Sequence, residues 1–336
     1  MNIKGAEVRF LSILNKLKRI ENNRIKSLDG YNYIRPFLSS NADIRRYFYG
    51  RLNDFHYVEK SIEGRTIIDA GCGSGAFSIM LGLLGAKRVY AVDYIAGCID
   101  MTKVLIEISE LKNVEVICGD IGKLHLTKGS VDGIFCIESI SHYRDYKSFL
   151  DMSSRVLRTD GFLIIRDGNN GMSPVIRKKN YKIWDIFENY PGAITISGHQ
   201  KGEGYYLNGR RNIIRSEFPS LRQDEVETFA RYTFAYSKER IIGAVEQFMK
   251  GDFTLRSEYS YGQCPLDPET DCYMEQLFNP KVLKDELRNY GFKSKVYSAG
   301  PSKKSLRVLR FLWEKLSPMT IYLPRAFKII AIRERK

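Results

Sequence analysis

Asp69 and the glycines that follow it hold the chemistry most legible in this sequence. Thr66, Ile67 and Ile68 form a short, largely β-branched run that ends in Asp69. Gly71, Gly73 and Gly75 come at once, and Phe77, Ile79 and Met80 then open an apolar helical segment. Strand, acidic tip, tight turn and helix make the first unit of a nucleotide-binding α/β sheet. Glycines in such a turn permit positive φ and let a ligand approach the backbone closely. Gly71-x-Gly73-x-x-Ala76 also fits the loose dinucleotide fingerprint, with Asp93 downstream at a distance suited to holding a ribose. Asp69 discriminates between ligands. It would repel a pyrophosphate resting on the helix N-terminus and attract a ligand carrying an ammonium and a sulfonium. S-adenosylmethionine is such a ligand.

The elements that must position these residues follow from hydrophobic periodicity. Residues 59–168 alternate strand and helix, which predicts a parallel sheet. Its further strands are Arg88–Asp93, Val114–Asp120, Val131–Ile137 and Gly161–Ile165, the last preceded by a helix, Tyr146–Leu157, and a turn, Arg158–Gly161. Residues 1–58 read as a helical cap with clustered aromatics, among them Tyr31, Tyr33, Phe37, Tyr47 and Phe48. After the turn-rich Asp167–Gly171, residues 171–275 leave the alternation. They carry helical patterns over Val175–Asn189, Arg210–Phe218, Asp224–Tyr232 and Lys238–Lys250. An insertion this long is expected to be structured and functional, and reads as an acceptor-binding lid. Residues 276–336 close the sheet with a helix opened by Asn279 and Pro280, then strands Gly291–Tyr297 and Ala326–Ile332. Between those strands, Ser305–Leu316 reads as a basic amphipathic helix.

Over residues 60–168 the chain resembles the class I S-adenosylmethionine-dependent methyltransferases. The resemblance implies a Rossmann-like seven-stranded sheet of order 3-2-1-4-5-7-6 with strand 7 antiparallel, a helical N-terminal cap covering the cofactor-binding core of residues 59–170, and the insertion after strand 5. It implies S-adenosylmethionine as cofactor. The glycine-rich first motif is Asp69, Gly71, Cys72, Gly73 and Gly75. Asp93 matches the acid that binds both ribose hydroxyls, and Tyr94 the side chain that packs on adenine. Asp120 matches the acceptor for the adenine amino group, with Ile121 flanking the ring. Glu138, just past the fourth strand, is a further candidate for cofactor contact. The turn Arg158–Gly161 is similar to that of the ubiquinone-biosynthesis branch of small-molecule enzymes. The tail is similar to that of methyltransferases from bacterial polysaccharide pathways.

Methyl transfer is an in-line displacement, helped most by alignment and, for a hydroxyl acceptor, by a base. His142 is the first candidate base, since its side chain titrates near neutrality in general; Glu138 and His199 are the alternatives. Asp167, Asn169 and Asn170 are candidates for acceptor hydroxyls, although polar side chains in a glycine turn often cap themselves. Tyr205, Tyr206, Arg210 and Arg211 are candidates for gripping an anionic or sugar-like acceptor. No metal site is expected: Cys264 and Cys272 share a loop without partners at zinc spacing.

The 336 residues carry a net charge of +14. Residues 1–26 hold seven Lys and Arg against two acids, and residues 301–336 ten against two, which leaves the middle nearly neutral. Basic, partly apolar ends suit an anionic membrane surface. The neutral core and long insertion favour O-methylation of a small-molecule or glycan- or lipid-linked acceptor, in the cytoplasm or peripherally at the inner membrane face. An RNA methyltransferase, acting on ribose or base, is the alternative that the charge supports. A dehydrogenase is the rival at the level of fold, and three intact acids (Asp69, Asp93, Asp120) argue against a non-catalytic relic.

Overall fold

The computed structural model describes residues 2–55, 62–189, 194–196, 199–201, 205–251, 256–299 and 315–335. A seven-stranded sheet organises them. Its strands are β1 (Thr66–Ala70), β2 (Arg88–Asp93), β3 (Val114–Cys118), β4 (Val131–Ile137), β5 (Leu157–Asp167), β6 (Phe292–Ser298) and β7 (Phe327–Arg333). The order across the sheet is 3-2-1-4-5-7-6. β7 alone runs antiparallel, pairing Phe327 with Asp167 on β5 and with Ser298 on β6. The fold expected from the resemblance is therefore the fold observed.

Residues Ile67, Ile68 and Ala70 on β1, and Ile134, Phe135 and Cys136 on β4, are buried on both faces of the sheet. Such continuous apolar runs are what a parallel sheet covered by helices requires. Helices α1 (Ile3–Ile20), α2 (Asn23–Lys26), α3 (Asp29–Ile34) and α4 (Asn41–Phe55) precede β1, and their apolar faces join α5 (Ala76–Leu83) and α6 (Ala96–Ser109) in one core. α7 (Tyr146–Val156) leads into β5 and is capped by Asp145, which accepts from the N–H groups of Lys147 and Ser148. The turn expected at Arg158–Gly161 lies inside the span of β5. Asp160 there has φ +61°, and the β4–β5 register shifts between Val131 and Gly133, so the turn is absorbed as an irregularity of the strand.

After β5 come α8 (Pro174–Asn189), α9 (Tyr205–Glu217), α10 (Gln223–Tyr232) and α11 (Lys238–Met249). Helices α9 to α11 share a separate hydrophobic cluster, with Ile213, Ile214, Val226, Ile241 and Val245 at its centre. Arg210 on α9 is 1% exposed and forms an ion pair with Glu188 on α8, while its Nε donates to the carbonyl of Ala230 at 2.7 Å. Arg211 is held by Glu227 and Asn208, and Tyr206 is buried. The expectation that this cluster grips an acceptor is corrected: neighbouring helices bind Tyr206, Arg210 and Arg211, and Tyr205 falls outside the described side chains. Breaking a buried pair strands a charge. Glu188→Gln is accordingly expected to cost about 3 kcal/mol of stability in chemical denaturation, and Glu188→Leu with Arg210→Met to recover most of it.

α12 (Pro280–Asn289) is capped by Asn279 and starts at Pro280, as expected. The strand expectations for β6 and β7 hold to within one residue. Of the expected helix Ser305–Leu316, only Lys315 and Leu316 are described, and the rest lies outside the described residues. Among the described residues no helix is long and apolar enough to cross a membrane.

Candidate active site

A cavity of about 720 Å³ opens at the C-terminal ends of β1, β2, β3 and β4. That is where an open α/β sheet binds ligands, and the volume falls in the range of cofactor sites. Asp69, Asp93 and Asp120, each just at or past the tip of a different strand, all line it.

Asp69 is 2% exposed, and its Oδ2 accepts from the Ser78 hydroxyl at 2.5 Å. Burial pushes its carboxyl up to about 7, against the pull of Ser78 and of the Arg51 guanidinium. Gly71 has φ +78°, and a Cβ there would lie 2.5 Å from Cβ of Ser139. The close approach is used: Ser139 donates to the carbonyl of Ala70 at 2.7 Å and so ties the segment after β4 to the tip of β1. Gly73, at φ +54°, faces the cavity, and a Cβ there would meet only the Tyr33 ring, at 3.7 Å. Cys72 lines the wall as a buried thiol whose pKa burial raises strongly. Gly75 is not among the lining residues; it caps α5 in a left-handed conformation.

Asp93 accepts from the N–H of Gly73 at 2.8 Å and, through its other oxygen, from Ile95 at 3.0 Å. Burial raises its pKa, and those N–H groups oppose the shift. A carboxylate has room for about four donors, so each oxygen keeps capacity for a hydroxyl. Asp120 accepts from Gly122 at 2.8 Å through one oxygen. Tyr94, 51% exposed, and buried Ile121 also line the cavity. The buried Asp69, the two acceptor oxygens of Asp93, Asp120 beside Lys123, a flat ring and an open glycine cradle are a donor–acceptor set that fits a nucleoside bearing a cationic amino-acid tail.

Glu138 follows β4 with φ +55°, a strained value for a residue with a Cβ. Its carboxylate accepts from Gly168 N–H at 2.8 Å and from Arg166 at 3.2 Å, which holds the strain in place. His142 also lines the cavity. Its Nδ1 lies 3.0 Å from the carbonyl of Tyr273. A carbonyl only accepts, so Nδ1 carries the proton and Nε2 of the neutral ring is left with its lone pair.

Other expected contacts are redirected. Asp167 is buried and accepts from Ser141 and Asn169 N–H groups; burial, then the charge of Glu138, lifts it to about 6. Asn169 accepts from Asn180, and Asn170 donates to the carbonyls of Ile321 and Arg325. None of the three lines the cavity, and they serve as turn and cap groups instead. His199 sits in a short hairpin strand, His199–Lys201, and its side chain is outside the described residues. Among the described residues no three His, Cys, Asp or Glu side chains converge to hold a metal.

Three aromatics of the expected cap line the cavity, and with them come residues that sequence reasoning missed, Arg51 and Thr270–Cys272. Tyr33, Phe37, Tyr47 and Arg51 come from the N-terminal helices and the turn between α3 and α4, with the Arg51 guanidinium 5.4 Å from the centre of the Tyr47 ring. Thr270, Asp271 and Cys272 come from the far end of the insertion. Asp271 is paired with Arg144, and Gln276 donates to the carbonyl of Tyr143, so this peptide is fastened to the segment that bears His142. For Arg51, its spacing of four from Tyr47 on one helix was the signal that could have found it.

The family model described as "Methyltransferase domain" matches residues 68–165. A curated relative named as a probable cobalt-precorrin-6B C(15)-methyltransferase (decarboxylating), from Methanocaldococcus jannaschii, is 34% identical over 24% of this chain and 46% of its own length. A ribosomal protein L11 methyltransferase from Acetivibrio thermocellus is 29% identical over 37% of this chain and 36% of its own length. The chain thus spans less than half the length of these relatives. A solved structure of an S-adenosylmethionine-dependent methyltransferase from Archaeoglobus fulgidus is 16% identical, covering 90% of this chain and 99% of that one at a TM-score of 0.44. Residues 68–165, whose strands and strand-tip acids surround the cavity, thus match a methyltransferase domain.

Proposed function

We propose that this protein methylates an oxygen of a small-molecule or glycan- or lipid-linked acceptor, with S-adenosylmethionine as donor. The observation that carries the reading is the convergence of Asp69, Asp93, Asp120 and His142 on one cavity. When bound, the cofactor supplies an electrophilic methyl group on a sulfonium. Asp93 would hold the ribose diol, Asp120 the adenine amino group with Tyr94 and Ile121 nearby, and Asp69 the cationic amino-acid end. Gly71, Cys72 and Gly73 form the floor beneath them. Tyr33, Phe37 and Tyr47 exclude water from one side, and Thr270–Cys272 from the other. His142 would take the acceptor hydroxyl proton on Nε2, while the oxygen bonds to the methyl carbon and the methyl–sulfur bond breaks, its pair remaining on a neutral thioether sulfur. Glu138 positions the segment that carries His142. The helices before β1 and the insertion after β5 select the acceptor.

Calorimetry with S-adenosylmethionine and with NAD tests the reading. Binding of NAD alone would end it. Transfer of labelled methyl to lipid-linked glycans, compared with transfer to RNA, separates the acceptor classes. The net charge of +14 supports RNA as the second reading, and co-purified RNA serving as acceptor would favour it. The near-neutral core supports the first reading, with the basic ends meeting the anionic inner face of the cytoplasmic membrane.

The Asp69 assignment has a signature in pH. The folded carboxyl is raised to about 7 from an ordinary value near 3.8. In the free protein this group therefore favours the fold fully below the lower value, and the contribution is lost as pH rises through about 7. A cation seated beside Asp69 lowers its pKa, so cofactor binding near pH 6 should release a proton. Calorimetry at that pH in buffers of different ionisation enthalpy is expected to register the release in the wild type and lose it in Asp69→Asn.

A further inference from the structure

The turn before β7 shows an arrangement that the cavity does not use. Residues Leu316–Leu323 form a compact turn closed by backbone bonds from Met319 to Leu316 and from Leu323 to Thr320. It is anchored from inside. Ile321 is 1% exposed, its carbonyl accepts from the buried Asn170 amide at 2.6 Å, and Ser317 accepts from Ser298 N–H at 3.2 Å. Outside, the turn presents Leu316, Met319, Tyr322 and Leu323, with Met319 73% exposed. The surface continues onto α12, where Val282 is exposed and Lys281 reaches the Tyr322 hydroxyl at 3.3 Å. Rigidly held, adjoining apolar side chains that face solvent mark a contact surface.

Its position is informative. β7 begins opposite the C-terminal end of β5, and Asn170, just past that end, holds the turn. The apolar surface therefore lies along the same edge of the sheet as the cavity mouth. Its charge is one-sided among the described residues, with Lys281 and Lys315 exposed at its rim. The nearby Asp285 is paired with Lys284 and Arg288. Two copies facing each other would oppose their rim lysines, whereas anionic phospholipid headgroups complement them and the acyl boundary accepts Met, Leu and Tyr.

We infer that the turn Leu316–Leu323, with Lys281 and Val282, docks the protein onto an anionic phospholipid surface, with the cavity edge turned toward that surface. The inference deepens the membrane part of the proposed function and rests on it. The test is co-sedimentation of the full chain with phosphatidylcholine vesicles, with and without phosphatidylglycerol. S-adenosylmethionine affinity is measured in parallel as an independent readout of the methyltransferase reading. The wild type is expected to pellet only with the anionic vesicles. Met319→Glu with Leu323→Glu should lower the bound fraction about tenfold at unchanged cofactor affinity. Lys281→Glu with Val282→Ser reads the same surface from α12, independently of how the turn tolerates substitution. A wild type that stays in the supernatant overturns the inference, as does undiminished pelleting of both variants. A wild-type dimer dissolved by the same substitutions would assign the surface to self-association and also overturn it. Vesicle binding without cofactor binding would instead fail the methyltransferase reading alone.

Discussion

Asp93→Ala is expected to weaken S-adenosylmethionine binding by roughly two to three orders of magnitude, the loss of two charge-assisted hydrogen bonds to a diol. The fold should survive. Asp93 accepts the N–H groups of Gly73 and Ile95, and their loss is unfavourable. Against this, burial already holds the Asp93 carboxyl above its ordinary range, so removing it relieves a desolvation cost of opposite sign. A thermal midpoint close to that of the wild type, alongside a collapsed calorimetric affinity, is the expected pair of results. Asp93→Asn is a sharper probe. It keeps the size but must aim one NH₂ at a backbone donor, so it too should bind poorly. Wild-type affinity in both variants would remove Asp93 from the ribose position.

His142→Ala is expected to lower turnover by about 10²- to 10⁴-fold, the usual worth of a general base, with cofactor affinity little changed. The Tyr273 carbonyl 3.0 Å from Nδ1 fixes the tautomer and frees Nε2. Single-turnover rates with saturating cofactor separate chemistry from binding, and added imidazole should restore part of the lost rate. Turnover equal to that of the wild type would leave alignment alone to account for the reaction.

Legibility in the sequence followed range. Asp69, Asp93 and Asp120 were readable because each sits within a residue or two of a strand end, and an alternating β/α pattern brings successive strand ends to one edge. The order of β6 and β7 came from the resemblance rather than from their periodicity. The Arg158–Gly161 turn was legible as a turn, but its absorption into β5 depends on the register with β4. Arg210 and Arg211 were misread because a charged helix start looks solvated until Glu188 and Glu227 arrive from neighbouring helices. Asn170 was misread for a similar reason: its partners, Ile321 and Arg325, lie some 150 positions away in the chain. Arg51 and Thr270–Cys272 carried no motif, and only the closed fold brings them to the cavity.

The peptide Thr270–Gln276 has a consequence for engineering. It roofs the cavity at one end, and at the other supplies the carbonyl that sets the His142 tautomer. The helices α9 to α11 keep their own core and contribute no lining residue. Grafting a relative's helices upstream of Thr270 would thus preserve the orientation of His142, whereas a graft that crosses Tyr273 would exchange acceptor preference and proton acceptor together. The seam for recombining specificity lies a few residues before Thr270, rather than at the end of β5 where the insertion begins.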